Sequence, residues 1–404
     1  MSFLTKGVSL AVTLLSIGAF AADGATRTPR RPTTQSEVDA VVHDLCGKRI
    51  ALLGESPLHG FGKTLEFKVT VVRRLVDECH YTAFFNESGT YDFLNIRKKL
   101  ESGGKITQPM LTAAIGGLWA VREVEPMIPF LVERANAGTL FLGGLDDQLQ
   151  RGTYAQLEMP ADLVRYLQGD AKRDCLRTLE RHTLWRYTND APFGANDAAL
   201  ILGCLDQIGA ATSTSRSADT TYDLAMIRSL RHAVAGSLAP NVSSTDARIQ
   251  GFNDRDRSMY QNFKWLMSRL PANSKVIVWA ASIHAAKDLS GVSGQERLVS
   301  LGSYIHREFT TNAFALGFSA YSGSYAMVRQ PPRQWSVAPP TSLEGQAFAT
   351  GSSDARYLNA DELKKAGPIA ARPTSSDFAT AQWDTVLDGI VIFREEHPPT
   401  LSRP

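Results

Sequence analysis

Glu55, His59, Glu87, Asp146 and His284 carry side chains that do acid–base chemistry, and each closely follows a short apolar run. The first pair lies in "RIALLGESPLHGFGKTLEF", residues 49–67. An apolar stretch there empties into Gly54-Glu55, a loop carries Pro57 and His59, and a helical pattern then begins. A carboxylate beside an imidazole can orient the ring and stabilise its protonated form, so that the imidazole takes a proton from water near neutral pH. Glu87 and His284 supply a second pair of the same kind. Lys68, early in the following helix, can offset carboxylate charge or meet a developing oxyanion.

The same loop ends in Gly62-Lys63-Thr64, the tail of a phosphate-binding loop. That motif needs a glycine at position 57, where the chain has Pro57, which has no N–H to give a phosphate. "TLFLGGLD", ending at Asp146, imitates the magnesium-binding strand of such proteins, so an NTPase stays as a minor alternative. No G-x-S-x-G elbow is present. The histidines and carboxylates are competent metal ligands, but no H-E-x-x-H or similar spacing joins them, and neither metal nor cofactor is expected.

Six apolar runs would position these residues: Ile50–Leu53, Thr82–Asn86, Leu140–Leu142, Val276–Trp279, Ala313–Phe318 and Gly389–Phe393. They are continuous rather than alternating, which suits strands buried on both faces of a sheet. Helical spacing marks 65–78, and 246–270 is a longer candidate that stops at Pro271. The stretch from about 150 to 270 has helical periodicity and almost no strand signal. The fold class is α/β, a mainly parallel sheet flanked by helices with a large helical insertion. Ligand sites in open α/β sheets lie beyond the carboxyl ends of the strands, where all five acid–base residues fall.

The chain has 404 residues, 43% hydrophobic and 21% charged, with a net charge of +2. No strong basic field recruits nucleic acid. Lys6, the apolar run Val8–Phe20 and Ala19-Phe20-Ala21 form an export signal over 1–21, too short to span a bilayer. Export would leave the protein periplasmic or secreted, without a membrane span. Residues 22–38 read as a flexible leader, and 39–404 as one α/β domain. Cys46, Cys79, Cys175 and Cys204 allow three pairings, or four buried thiols. Pairs 46–79 and 175–204 are favoured. Neighbouring parallel strands would bring the first two together, and a helical hairpin the second two.

In order along the chain, these segments resemble the erythromycin esterase family. The resemblance rests on Gly54-Glu55, His59-Gly60, Glu66-Phe67-Lys68, Phe84-Phe85-Asn86-Glu87, Trp119 with Glu123, and Gly144-Leu145-Asp146-Asp147-Gln148. It continues through Arg255-Asp256 to Asn262, Trp279 to His284, Ala315 to Phe318, Gly323-Ser324 and Asp388-Gly389. It implies a parallel-sheet fold with a helical insertion. It also implies hydrolysis of a small-molecule ester or lactone by activated water, with no covalent serine and no obligatory metal. The macrolide ring ester is the substrate of the family's namesakes. Carried over, His59 is the general base, Glu55 and Glu87 orient it and position the water, and His284 is a supporting or oxyanion-side histidine. Lys68, Trp119, Asp146, Arg255 and Ser282 are the candidate substrate contacts.

This chain departs from the pattern in two places. Three residues separate Glu55 from His59, where the family usually has two. The first histidine and the asparagine of the late block are replaced by Ala281 and Ser282. The second departure keeps open a non-catalytic ligand-binding protein on the same fold. Pro126 and Pro129 fall inside an expected helix and would reshape the cleft.

Overall fold

The computed structural model describes residues 33–215, 219–237, 244–327 and 330–402. The expected export signal lies outside these residues, as does the leader up to residue 32. Residues 33–38, expected to continue the leader, are instead the start of helix α1 (Thr33–Cys46), whose Val38, Val41, Val42 and Leu45 are buried.

The fold is α/β. All six expected strands form: β1 (Ile50–Leu53), β2 (Ala83–Gly89), β3 (Phe141–Asp146), β4 (Val276–Trp279), β5 (Ala313–Tyr325) and, last in the chain, β10 (Gly389–Glu396). They lie side by side in the order β3-β2-β4-β1-β5-β10, every pair parallel. Their continuous apolar runs follow from burial on both faces. Ala51 and Leu53 pack on one side with α1 and α2 (Gly62–Asp77), while Ile50 and Leu52 pack on the other with Met259 and Phe263. β6 (Arg333–Trp335), β7 (Ala355–Asn359), β8 (Pro368–Ala371) and β9 (Ala379–Gln382) carried no clear sequence signal. β7 closes one edge antiparallel to β10, and β8 and β9 form a separate hairpin.

Between β3 and β4 the described residues are helical or irregular, with long helices at Gly169–Thr183, Ala195–Ser213, Thr220–Ser237 and Thr245–Met267. Two disulfides are present, Cys46–Cys79 and Cys175–Cys204, with Cα atoms 5.0 and 5.3 Å apart. The second joins two helices of the insertion. The first has the expected partners for a different reason: β4 lies between β1 and β2, so those strands are not neighbours. Cys46 ends α1 and Cys79 follows α2, and it is the packing of these two helices that brings the sulfurs together. Pro126 and Pro129 do not break the helix α5 (Met127–Asn136). Pro126 caps it and Pro129 sits in its first turn, where a missing N–H costs nothing. Between α2 and α5 lie α3 (Thr90–Glu101) and α4 (Gln108–Ile115). No helix among the described residues is long and apolar enough to cross a membrane.

Candidate active site

The sheet delivers its polar residues at the carboxyl ends of β1, β2, β3 and β4. β1 is followed by Gly54, where an added Cβ would lie 2.5 Å from Ser282 Oγ and 2.7 Å from the Leu316 carbonyl. Only a glycine lets the chain leave the sheet this close to its neighbours. Glu55 follows, buried at 1% exposure. Its Oε1 meets His59 Nδ1 at 2.7 Å and accepts from Trp119 Nε1 at 2.7 Å, while Oε2 accepts from Lys68 Nζ at 3.0 Å. The extra loop residue therefore does not misdirect the pair. His59 absorbs it by adopting φ of 50°, an uncommon left-handed conformation, with its N–H held by the Ser56 carbonyl at 2.9 Å.

Burial alone would raise the Glu55 pKa. The Lys68 ammonium and the His59 contact outweigh that and lower it, so Glu55 is a carboxylate. Burial drops Lys68 to about 8 despite Glu55, and its Nζ sits 3.9 Å from the centre of the Trp279 ring. With Nδ1–H donated to Glu55, the lone pair of His59 falls on Nε2. The ring stands edge-on to Trp119 and lines a cleft of about 870 Å³.

A second cluster forms the other wall. Arg255 reaches from the helix Thr245–Met267 to three partners. It donates to Asp146 Oδ2 at 2.7 Å and Glu87 Oε1 at 2.8 Å, and its Nη1 lies 2.9 Å from His284 Nε2. Glu87 Oε2 accepts the Ala281 N–H at 2.7 Å. Burial pushes the Glu87 pKa up, but His284, Arg255 and His59 together hold it at about 2. Burial also raises Asp146, with Arg255 opposing and Asp147 and Glu87 adding to the rise. His284 Nδ1 lies 2.8 Å from Asp256 Oδ2, and Phe252 stacks on the ring. A guanidinium N–H can only donate, so the Arg255 contact belongs to neutral His284 with its proton on Nδ1. Burial disfavours the imidazolium, yet Asp256 and Glu87 raise the His284 pKa, and Glu87 Oε1, 3.3 Å from Nε2, would accept a hydrogen bond from the second N–H.

His59, Glu87, Trp119, Asp146, Arg255 and His284 all line the one cleft. Two expected substrate contacts do not. Lys68 is wholly buried behind Glu55, so it cannot meet an oxyanion, and it acts by fixing that carboxylate. Ser282 is wholly buried too, with its N–H on the Glu55 carbonyl at 2.7 Å and its Oγ 3.4 Å from the Phe318 N–H. It fixes the loop after β1 and never reaches the cleft. Asp256 was not singled out as a site residue. Its signal was its place beside Arg255, one step round the same helix.

The nucleotide alternative fails at the helix end that prompted it. Glu396 accepts from Lys63 N at 3.0 Å, Thr64 N at 2.9 Å and Thr64 Oγ1 at 2.6 Å. The chain's own carboxylate fills the position a phosphate would need.

A family model described as erythromycin esterase matches residues 76–393. The chain belongs to the erythromycin esterase family. It is 22% identical over 306 residues to a Bacillus subtilis (strain 168) protein named "Putative hydrolase YbfO", covering 69% of this chain and 66% of that one, just under two thirds of its length. Solved structures share the fold. A Bacillus cereus protein superposes with a TM-score of 0.66 at 15% identity, covering 93% of this chain and 95% of the other. A succinoglycan biosynthesis protein gives 0.67 at 14%, covering 93% and 94%. The erythromycin esterase EreC, a histidine-to-asparagine mutant in its open conformation, gives 0.60 at 13%, covering 89% and 94%.

Proposed function

We propose that this protein is an exported hydrolase that cleaves a carboxylic ester or lactone with a water activated by His59. The observation that carries this reading is the Glu55–His59 pair. A buried carboxylate bound to two other donors holds the imidazole by Nδ1, at 2.7 Å, and the ring faces a cleft that fits a small molecule.

Nε2 takes a proton from water as the oxygen attacks the carbonyl carbon. Glu55 stabilises the imidazolium that forms. Arg255, which lines the cleft beside Glu87 and His284, supplies a cation for the tetrahedral oxyanion. The imidazolium then gives its proton to the departing alkoxide, releasing acid and alcohol. Export is supported by the signal-like residues 1–21 and by two disulfides, which persist in oxidising compartments.

A second reading, a ligand-binding protein without turnover, rests on Ala281, whose methyl stands at the cleft where the family pattern has an imidazole. Incubating the protein and its His59→Ala variant with macrolides, simpler lactones and esters separates the two. Mass gain of one water, lost in the variant, is the expected result. Binding that is unchanged in the variant, with no turnover in either, favours the second reading.

A further inference from the structure

Glu123 plays no part in the proposed chemistry. It is 7% exposed, and both of its carboxylate oxygens accept the Thr400 N–H, at 2.9 and 3.0 Å. This pin belongs to a strap running from β10 across the site. The His397 carbonyl accepts the Gly62 N–H at 2.8 Å, and the Thr400 carbonyl accepts the Arg122 N–H at 2.9 Å. Leu401 forms an antiparallel bridge with Val121. Gly62 lets the strap lie flat, since a Cβ there would stand 2.3 Å from the His397 ring.

The strap places Leu401 and Ser402 in the wall of the same cleft as His59. Leu401 is 54% exposed, and Leu118, in the loop that also carries Trp119, is 38% exposed. Both line the cleft, together with Ile115 and Leu149. Apolar surface left in water at a cleft mouth gains free energy when a ligand covers it. A single 3₁₀ turn, Gly117–Trp119, links the two functions of this loop: Trp119 donates to Glu55, and Val121 to Glu123 hold the strap.

We infer that the segment 397–402 is a substrate-selecting wall, in which Leu401 covers the apolar chain of the ester and Glu123 is the positioning residue that keeps it there. The inference rests on the proposed ester chemistry for its substrate class, and its test does not depend on turnover. A side chain that contacts a bound apolar group equally in ground and transition states changes KM and leaves kcat alone.

The test compares p-nitrophenyl acetate and p-nitrophenyl octanoate as substrates for the native chain, Leu401→Ala and Glu123→Ala. Both variants are expected to raise KM for the octanoate about tenfold, as for loss of a few methylene contacts, with kcat and the acetate unchanged. Leu401 is more than half exposed and lies near the end of the described chain, so Leu401→Ala guards against a folding defect in Glu123→Ala. Binding of methyl octanoate is measured by calorimetry on His59→Ala with and without Leu401→Ala. A matching loss of affinity supports the wall even where no ester is hydrolysed, an outcome that would count only against the proposed chemistry. Equal methyl octanoate affinity with and without Leu401, or no binding to either, overturns the inference.

Discussion

Glu55 Oε2 and Lys68 Nζ form an ion pair at 3.0 Å with both residues closed off from solvent, and the same carboxylate holds His59 through its other oxygen. Lys68→Met would leave that carboxylate buried without its cation. Removing one partner of a buried pair typically costs about 3–5 kcal/mol. In the native chain the Glu55 pKa is lowered, so its stabilisation is present above the ordinary carboxylate range and is lost as pH falls through the folded value. In the variant burial is less opposed and the pKa rises. Urea denaturation should show a deficit that is large at pH 7 and shrinks on acidification, and the acid limb of the rate profile should move to higher pH. Native stability at pH 7 in Lys68→Met would refute the pairing argument.

Arg255 neutralises two carboxylates at once, and Arg255→Ala should expose that role through its pH dependence. With Glu87 held at about 2, the native chain keeps this stabilisation above the ordinary carboxylate range and loses it only as pH falls toward 2. Without the guanidinium, Glu87 and Asp146 face each other buried. Turnover is expected to drop about 10²-fold or more through loss of oxyanion stabilisation. The stability deficit should be greatest near pH 7 and smaller near pH 3. A deficit that does not vary with pH would mean that Arg255 contributes by packing alone.

Glu396 has the opposite sign. Burial raises its pKa to about 7, although the donors of Lys63 and Thr64 oppose this. A carboxyl whose folded pKa lies above its unfolded value weakens the fold as pH rises between the two. The native melting temperature should therefore fall between pH 5 and pH 8, with a free-energy effect on the order of 3 kcal/mol from this group. Glu396→Gln keeps an acceptor for the helix end and carries no charge, so its melting temperature should decline less over that range. An identical pH slope in the two proteins would sink the assignment.

The parallel strands were legible because burial on both faces leaves a continuous apolar signature, as in Ile50–Leu53 and Val276–Trp279. Each apolar run gives way to polar residue types at its carboxyl end, which located Glu55, Glu87, Asp146 and His284. Strand order was not legible. Apolar runs carry no label for their neighbours, and β4 entered between β1 and β2 from nearly two hundred residues downstream. That insertion changed the reason for the Cys46–Cys79 disulfide while leaving the partners correct.

Side-chain direction was likewise beyond the sequence. Lys68 and Trp119 both looked like substrate contacts, yet only the tryptophan reaches the cleft. The sequence by itself determined which residue types stand at the strand ends, and with them an acid–base site on an α/β sheet. The tertiary structure decided which atoms meet. The Glu55–His59–Lys68–Trp119 cluster, the Arg255 bridge and the Leu401 strap each join segments remote in sequence. Their contacts depend on packing geometry, which a one-dimensional pattern of residue types does not encode.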